Sequence, residues 1–219
     1  MTDIITDDIT AWNLLPKSRW MLNKLYVHQK MGADCGPIGI EPTKFPVWVK
    51  PVINVHGLGI KSRLVYDSND LEYEPGMMWM TYYSGVHMSY DILYNFNEII
   101  EVYAAEGVGG PYFNKWVVTK IEPTNKLKYL INRLSVCGEL PERFNIETIG
   151  DKLIECHPRW SEEFCLFYDE NAFRPFTQHV MWDKDVNAEV PETWIDCRND
   201  PCNQWTGELK RIAYKYEEN

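Results

Sequence analysis

The side chains best suited to catalysis are concentrated in residues 144–159. They are Glu147, Glu155, His157 and Arg159. Two runs of β-forming residues flank Gly150-Asp-Lys152, which predicts a tight β-hairpin with a three-residue turn centred on Asp151. Because side chains alternate between the two faces of a strand, this turn places Glu147 opposite Glu155. The two carboxylates are therefore predicted to converge.

This pair of carboxylates is suited to binding a cation. Adjacent carboxylates repel each other unless positive charge lies between them, and their hard oxygens suit magnesium held against phosphate. Arg159 follows the same alternation as His157 and is predicted to contact phosphates or to stabilise charge that develops during transfer. Lys50 offers a second positive contact. The alternative is that these residues form ordinary ion pairs on a solvated hairpin face.

Three elements before residue 70 would position basic and glycine residues near this hairpin. Residues 18–31 are predicted to form a helix, begun by Ser18 and ended by Gly32. The segment Phe45-Pro-Val-Trp-Val-Lys-Pro51 is a predicted strand with Lys50 near its end. A turn-rich loop over 53–60, which contains Gly57 and Gly59, leads into a further strand at 63–66.

The middle of the chain is predicted to be an antiparallel meander followed by a helix. The predicted strands are 77–83, 87–94, 99–104 and 115–121. Residues 125–137 carry leucine and isoleucine at i, i+3, i+4 and i+7, which predicts an amphipathic helix ended by Gly138. Strands with segregated helices predict an α+β fold rather than a doubly wound parallel sheet. The segment 161–219 lacks clean periodicity and is predicted to be an irregular extension packed by aromatic residues.

Composition narrows the classes of partner. The chain has 219 residues and a formal net charge of −10, which argues against general binding to nucleic acid or to anionic membranes. It has no apolar run long enough to cross a bilayer, and its first residues are acidic where a signal peptide would be basic. We therefore expect a cytoplasmic protein with no nucleic-acid or membrane partner.

The order of these motifs resembles the ATP-grasp superfamily, over roughly residues 23–159. Asn23-Lys24 followed by Gly32-Ala-Asp-Cys-Gly-Pro37 is similar to the family's Asp-Lys helix and its Gly-Ile-Pro-x-Pro turn. The strand 45–51 is similar to the family's Phe-Pro-Val-Val-Val-Lys-Pro strand. The segment 80–91 is similar to the family's adenine-binding hinge and the strand after it, and Glu155-Cys-His-Pro-Arg159 is similar to Glu-x-Asn-Pro-Arg.

The resemblance implies two small lobes with antiparallel sheets that enclose a nucleotide cleft, at residues 1–82 and 83–160. It also implies a role for individual residues in binding ATP and Mg²⁺. Phosphate contacts would come from Lys24, Lys50, Gly57 and Gly59, adenine and ribose contacts from Met80, Thr81, Tyr82 and His87, and magnesium ligands from Glu147, Glu155 and His157. Arg159 and Lys50 would be the catalytic residues.

The chain departs from the family pattern at several positions. His157 stands where the family usually has a metal-binding asparagine, and Thr81 replaces an acidic residue of the hinge. The domain that often precedes the ATP-binding lobes, and helps to bind the acceptor, has no expected counterpart here. We therefore expect the acceptor site to come from the C-terminal segment, from a partner protein or from a homo-oligomer.

Three hypotheses for function follow. In the leading one, ATP activates a small-molecule carboxylate or a peptide acceptor through an acyl-phosphate, which an amine or thiol then attacks. A second is a non-catalytic nucleotide-sensing or assembly protein that keeps the fold. A third is a small-molecule kinase on the same fold. All three share the binding of ATP, and product analysis separates them.

Overall fold

The computed structural model of the protein describes residues 5–55, 61–108 and 115–161, together with strands at 168–169, 174–183, 195–196, 205–206 and 209–216. The described helices are α1 (Asp8–Leu14), a 3-10 helix (Pro16–Leu22), α2 (Lys24–Lys30), a short 3-10 helix (Ser68–Asp70) and α3 (Asn125–Ser135). The described strands form two antiparallel sheets. The α+β class predicted from the sequence is therefore confirmed.

The smaller sheet has four strands in the order β1-β4-β2-β3. They are β1 (Cys35–Pro37), β2 (Val47–Pro51), β3 (Arg63–Val65) and β4 (Met77–Thr81). One face of this sheet is apolar and packs with Ile38, Phe45 and Leu71 over a core that includes Val47, Val49 and Trp79. The sequence pattern predicted that residues 77–83 form the first strand of the meander. Strand β4 belongs instead to the smaller sheet, because its apolar residues pair with β2.

The larger sheet has ten strands and contains the predicted hairpin. They are β5 (His87–Asn95), β6 (Glu98–Val108), β7 (Lys115–Ile121), β8 (Arg143–Ile149), β9 (Lys152–His157), β10 (Tyr168–Asp169), β11 (Arg174–Asp183), β12 (Ile195–Asp196), β13 (Trp205–Thr206) and β14 (Leu209–Tyr216). The main path runs β12-β14-β11-β7-β6-β5-β8-β9, while β10 pairs with β11 and β13 pairs with β14. The meander β5-β6-β7 is as predicted.

The C-terminal residues that the structure describes extend this larger sheet. Strand β11 pairs along β7, and β14 pairs along β11. The expectation of an irregular extension is therefore wrong for residues 174–183 and 209–216. Polar residues and Pro175 interrupt the alternation of apolar residues in β11, so the local sequence pattern gave little indication of a strand. The segment forms a strand because it pairs with the edge of β7.

The single helix predicted over 18–31 is two helices that meet at Asn23. The Asn23 side chain accepts a hydrogen bond from the backbone N–H of Tyr26 at 3.0 Å and so caps α2. Asparagine favours this capping position over a helix interior, which explains the break and why Ser18 is not the cap. Gly32 ends the second helix as predicted, with φ at +72°.

The hairpin β8-β9 confirms the predicted pairing of Glu147 with Glu155, but its turn differs from the one that was predicted. Ile149 pairs with Lys152 around a two-residue turn, not the three-residue turn that was predicted. A β-bulge then restores the register, because Ile154 is an extra residue between Leu153 and Glu155.

The main core lies between the larger sheet and the helices. α3 contributes Leu127, Ile131 and Leu134 to it, and the sheet contributes Ile92, Phe144 and Ile146. The end of the first 3-10 helix and α2 pack on the same core through Met21 and Val27. These contacts place α2 beside β9, where the candidate site lies.

Candidate functional site

The candidate site lies on the face of β5, β8 and β9 opposite the apolar core. Residues paired across antiparallel strands share a face, and so do alternate residues along each strand. The shared face of these three strands therefore carries a polar set, which consists of His87, Ser89, Asp91, Asn145, Glu147, Glu155 and His157. A polar set that is largely buried requires partners for each group.

Two buried lysines contact Glu155 from different parts of the chain. The Lys24 Nζ atom lies 3.7 Å from Oε2 of Glu155, and the Lys50 Nζ atom lies 3.6 Å from Oε1. The side chains of Lys24 and Lys50 are only 5% and 3% exposed. Burial by itself would raise the pKa of Glu155, but the two lysines hold it well below its ordinary value. Glu155 is therefore an anion between two ammonium groups.

The bulge at Ile154 provides a further contact for Lys50. The Ile154 carbonyl oxygen accepts a hydrogen bond from Lys50 Nζ at 2.5 Å and lies 3.0 Å from Nε2 of His28. Burial lowers the pKa of His28 to about 3, and the Lys50 charge lowers it further, so the imidazole is neutral. Burial also lowers the pKa of Lys50 to about 8, despite the opposing effect of Glu155.

Lys50 reaches the hairpin because of its position in the smaller sheet. It pairs with Met78 on β4, so its side chain lies on the face opposite the apolar core of that sheet. Met80 shares this face, pairs with Trp48 and is buried. Of the residues predicted to contact phosphate or the adenine, Lys50 and Met80 thus lie on one face of the smaller sheet.

The other residues predicted to contact the nucleotide lie in different places in the structure. Thr81 lies on the other face of β4, with Oγ1 3.4 Å from the Asp34 carboxylate, and Tyr82 is partly exposed. Nε2 of His87 lies 2.9 Å from Oε2 of Glu147. Burial alone would raise the pKa of Glu147, but His87 lowers it. Gly57 and Gly59 lie outside the described residues.

His157 links the centre of the site to Asp8 of α1. Its Nε2 lies 3.4 Å from Glu155, and its Nδ1 lies 3.0 Å from Oδ2 of Asp8. Burial and Arg159 lower the pKa of His157, but the two carboxylates outweigh them and raise it. Both ring nitrogens thus face carboxylates, and the role of His157 as a magnesium ligand stays a prediction.

Asp8 also contacts Arg159. Nε of Arg159 lies 2.7 Å from Oδ1 of Asp8, and one terminal guanidinium nitrogen lies 3.2 Å from Oδ2. Burial would raise the pKa of Asp8, but His157 and Arg159 lower it to about 2. The ion pairs therefore run without a gap from the lysines through Glu155, His157 and Asp8 to Arg159.

Two carboxylates of the site, those of Glu147 and Glu155, have the chemistry to hold magnesium. Among the residues with described side chains, no group of three or more His, Cys, Asp and Glu side chains is placed to hold a metal ion. Glu147 and Glu155 are register partners and offer the oxygen ligands that magnesium prefers. Magnesium that also binds substrate phosphates commonly takes only one or two protein carboxylates, so these two residues fit it.

Sequence reasoning missed two residues that complete the buried network. One is Asp8, which no local pattern connects with a hairpin about 150 positions later. The other is Asp91, whose oxygens accept hydrogen bonds from the Ser161 backbone N–H at 3.0 Å and from Asn145 at 2.8 Å. The alternation of His87, Ser89 and Asp91 along β5 was a signal that could have found the second.

Comparisons with known proteins identify the fold. No protein-family model matches the chain, and no curated protein matches it in sequence. Solved structures do match. They include an L-amino acid ligase from Bacillus licheniformis, with a TM-score of 0.56 and 12% identity over 90% of this chain and 67% of that one. A putative ATP-grasp superfamily protein from Archaeoglobus fulgidus matches with a TM-score of 0.54 and 12% identity, over 92% of this chain and 66% of that one.

A third match is carboxyaminoimidazole ribonucleotide synthase from Aspergillus clavatus, solved with ATP. Its TM-score is 0.54, with 12% identity over 77% of this chain and 58% of that one. This chain thus spans about two thirds or less of the length of these proteins. None of the described helices is long and apolar enough to cross a membrane. The structural matches agree with the two antiparallel sheets and with the resemblance found in the sequence, and the chain has an ATP-grasp fold.

Proposed function

We propose that this chain is an ATP- and magnesium-dependent ligase that activates a carboxylate through an acyl-phosphate for attack by an amine or a thiol. The observation that carries the proposal is the meeting of Lys24 and Lys50 at Glu155, on an ATP-grasp fold. Buried charged groups are costly to keep, and they are concentrated at functional sites. Two buried ammonium groups beside one carboxylate are suited to a polyanion such as a triphosphate.

Binding of ATP would redistribute these charges. Phosphate oxygens would take over the ammonium groups of Lys24 and Lys50 and leave the oxygens of Glu155 available. Glu147 and Glu155 would then hold magnesium together with the phosphates. The metal ion, when bound, supplies positive charge that neutralises the phosphate oxygens. Met80, Thr81 and Tyr82 would border the adenine, and His87 the ribose.

The proposed reaction has two steps. An oxygen of the acceptor carboxylate attacks the γ-phosphorus, the bond to the β-γ bridging oxygen breaks, and ADP leaves. An amine or thiol then attacks the acyl carbon, loses its proton and displaces inorganic phosphate. The protein contributes mainly position and charge, as phosphoryl transfer requires, and the cationic groups would be Lys50 and Arg159.

The decisive experiment follows the products from labelled ATP. The full chain is incubated with magnesium, labelled ATP and pools of carboxylic acids with amines or thiols. A ligase releases ADP and phosphate only when both acceptor classes are present, and a new amide or thioester appears by mass spectrometry. Release of ADP with a stable phosphorylated metabolite would instead identify a kinase and overturn the ligase proposal.

A second candidate is a nucleotide-binding protein without turnover. One observation favours it, namely that Arg159 is already engaged by the chain's own Asp8. In this case, magnesium and ATP bind with measurable heat in calorimetry, but no pool of acceptors leads to release of ADP. Failure to bind ATP at millimolar concentration would contradict both candidates.

A further inference from the structure

Asp8 contacts Arg159 and His157 in the way that a bound ligand would. Two nitrogens of the Arg159 guanidinium face the two oxygens of the Asp8 carboxylate, at 2.7 and 3.2 Å, and Nδ1 of His157 lies 3.0 Å from the same group. Bidentate pairing of this kind is how arginine recognises carboxylates and phosphates. The Asp8 side chain is only 2% exposed, so the contact excludes water.

The location of this contact connects it to the reacting centre. His157 also contacts Glu155 at 3.4 Å, and Glu155 contacts both buried lysines. An anion bound by Arg159 and His157 would therefore lie beside the place where the phosphates are proposed to bind. This step rests on the proposed function.

Helix α1, which carries Asp8, buries few of its side chains. Only Asp8 and Ala11 of its seven residues are buried, while Ile9 and Leu14 are 48% and 63% exposed. Helices of this length are marginal in water without tertiary contacts, and segments that bury little apolar surface open at low cost. Arg19 contacts Trp12 of α1, and the carboxylate of Asp8 is the contact that attaches α1 to Arg159 and His157.

We propose that Asp8 occupies, from within the chain, the place at Arg159 and His157 where a small oxyanion would bind, until a ligand displaces it. The ligand would carry a carboxylate or a phosphate group. In this view, α1 is an internal competitor, and the acceptor or the transferring phosphoryl group binds only when Asp8 leaves. If Asp8 instead only positions Arg159, its loss would weaken anion binding, so the sign of the effect separates the two roles.

The test compares two neutral variants of the same helix without nucleotide. Inorganic phosphate and acetate are titrated separately into the wild type, Asp8→Asn and Asp7→Asn by calorimetry. Asp7 is a matched control because its carboxylate caps α1 through the backbone N–H of Thr10, whereas the Asp8 carboxylate contacts Arg159. We expect Asp8→Asn to bind one of the anions at least about tenfold more tightly than the other two proteins do. The preferred anion shows which group binds at Arg159 and His157.

The gain should disappear in the double variant Asp8→Asn/Arg159→Ala. Equal or weaker binding by Asp8→Asn would overturn the proposal. Because nucleotide is absent, a chain that does not bind ATP can still show the expected gain in anion affinity. Failure of the proposed function can therefore be distinguished from failure of this proposal.

A measurement on the wild type covers the case in which Asp8→Asn does not fold. Amide hydrogen exchange is followed in a peptide that covers residues 8–14, with and without phosphate or acetate at the highest concentration at which the chain stays folded. Displacement of Asp8 predicts faster exchange in this peptide with the bound anion. Unchanged or slower exchange with both anions would contradict displacement.

Discussion

The ammonium group of Lys50 lies 3.6 Å from the carboxylate of Glu155, and the two residues belong to different sheets. Lys50 comes from a strand of the four-stranded sheet, and Glu155 from the hairpin at the edge of the ten-stranded one. The contact therefore joins the two sheets through charge. The contribution of Glu155 to the free energy of unfolding and the contribution of Lys50 to ATP binding can be measured separately.

Replacement of Glu155 by Gln should lower the free energy of unfolding by about 3 kcal/mol, because it leaves Lys24 and Lys50 buried without a carboxylate. Urea unfolding followed by circular dichroism gives this value. Glu139→Gln is the control, since its ion pair with Lys17 is exposed and should change stability by less than about 1 kcal/mol. The assignment would be wrong if both variants were equally stable.

Replacement of Lys50 by Ala should weaken binding of ATP with magnesium by at least about tenfold, because a charge-assisted contact to phosphate is lost. Calorimetry on folded protein measures the change. Lys44→Ala removes an exposed lysine close by in the sequence and should bind ATP as the wild type does. Undiminished binding in Lys50→Ala would exclude Lys50 from the phosphate site.

Replacement of Glu147 by Gln should raise the magnesium concentration needed for half-maximal ATP binding by at least about tenfold, since even loss of an outer-shell partner commonly has an effect of that size. Titration of Mg²⁺ at fixed ATP measures this shift. Glu72→Gln, which changes an exposed carboxylate, serves as the control. An unchanged magnesium requirement would show that Glu147 is not a ligand.

The pH dependence of stability should show the burial of Asp91. Burial raises the pKa of this carboxyl well above its ordinary value, and hydrogen bonds from Asn145 and Ser161 offset only part of the rise. Because the folded-state pKa is the higher one, the protonated form favours folding, and this contribution is present in full below about pH 3.8. It is lost as the pH rises from there through the raised pKa.

The variant Asp91→Asn isolates this contribution, since other groups titrate alike in both proteins. The unfolding free energy of the wild type, relative to that of the variant, should fall as the pH rises above about 3.8, when urea unfolding is measured at several pH values. Parallel pH profiles of the two proteins would show that Asp91 has an ordinary pKa in the folded chain.

The sequence by itself determined the elements whose signals are local. The strand 45–51 has β-forming residues between prolines, the meander from His87 onward has strand and turn residues, and the helix that begins near Asn125 has helical periodicity. All three are present. The pairing of Glu147 with Glu155 was also readable, because alternation and a short turn limit the register of a hairpin. The motifs that resemble those of the ATP-grasp superfamily also indicated the fold.

The tertiary structure decided what depends on contacts between distant segments. A β-bulge at Ile154, which a turn-based argument cannot foresee, presents its carbonyl oxygen to Lys50. Strand β11 forms because the edge of β7 is available, and its own sequence gave no clear pattern. The carboxylate of Asp8 meets Arg159 across 151 positions of sequence, because buried charges need a partner and only the folded chain brings this one within reach.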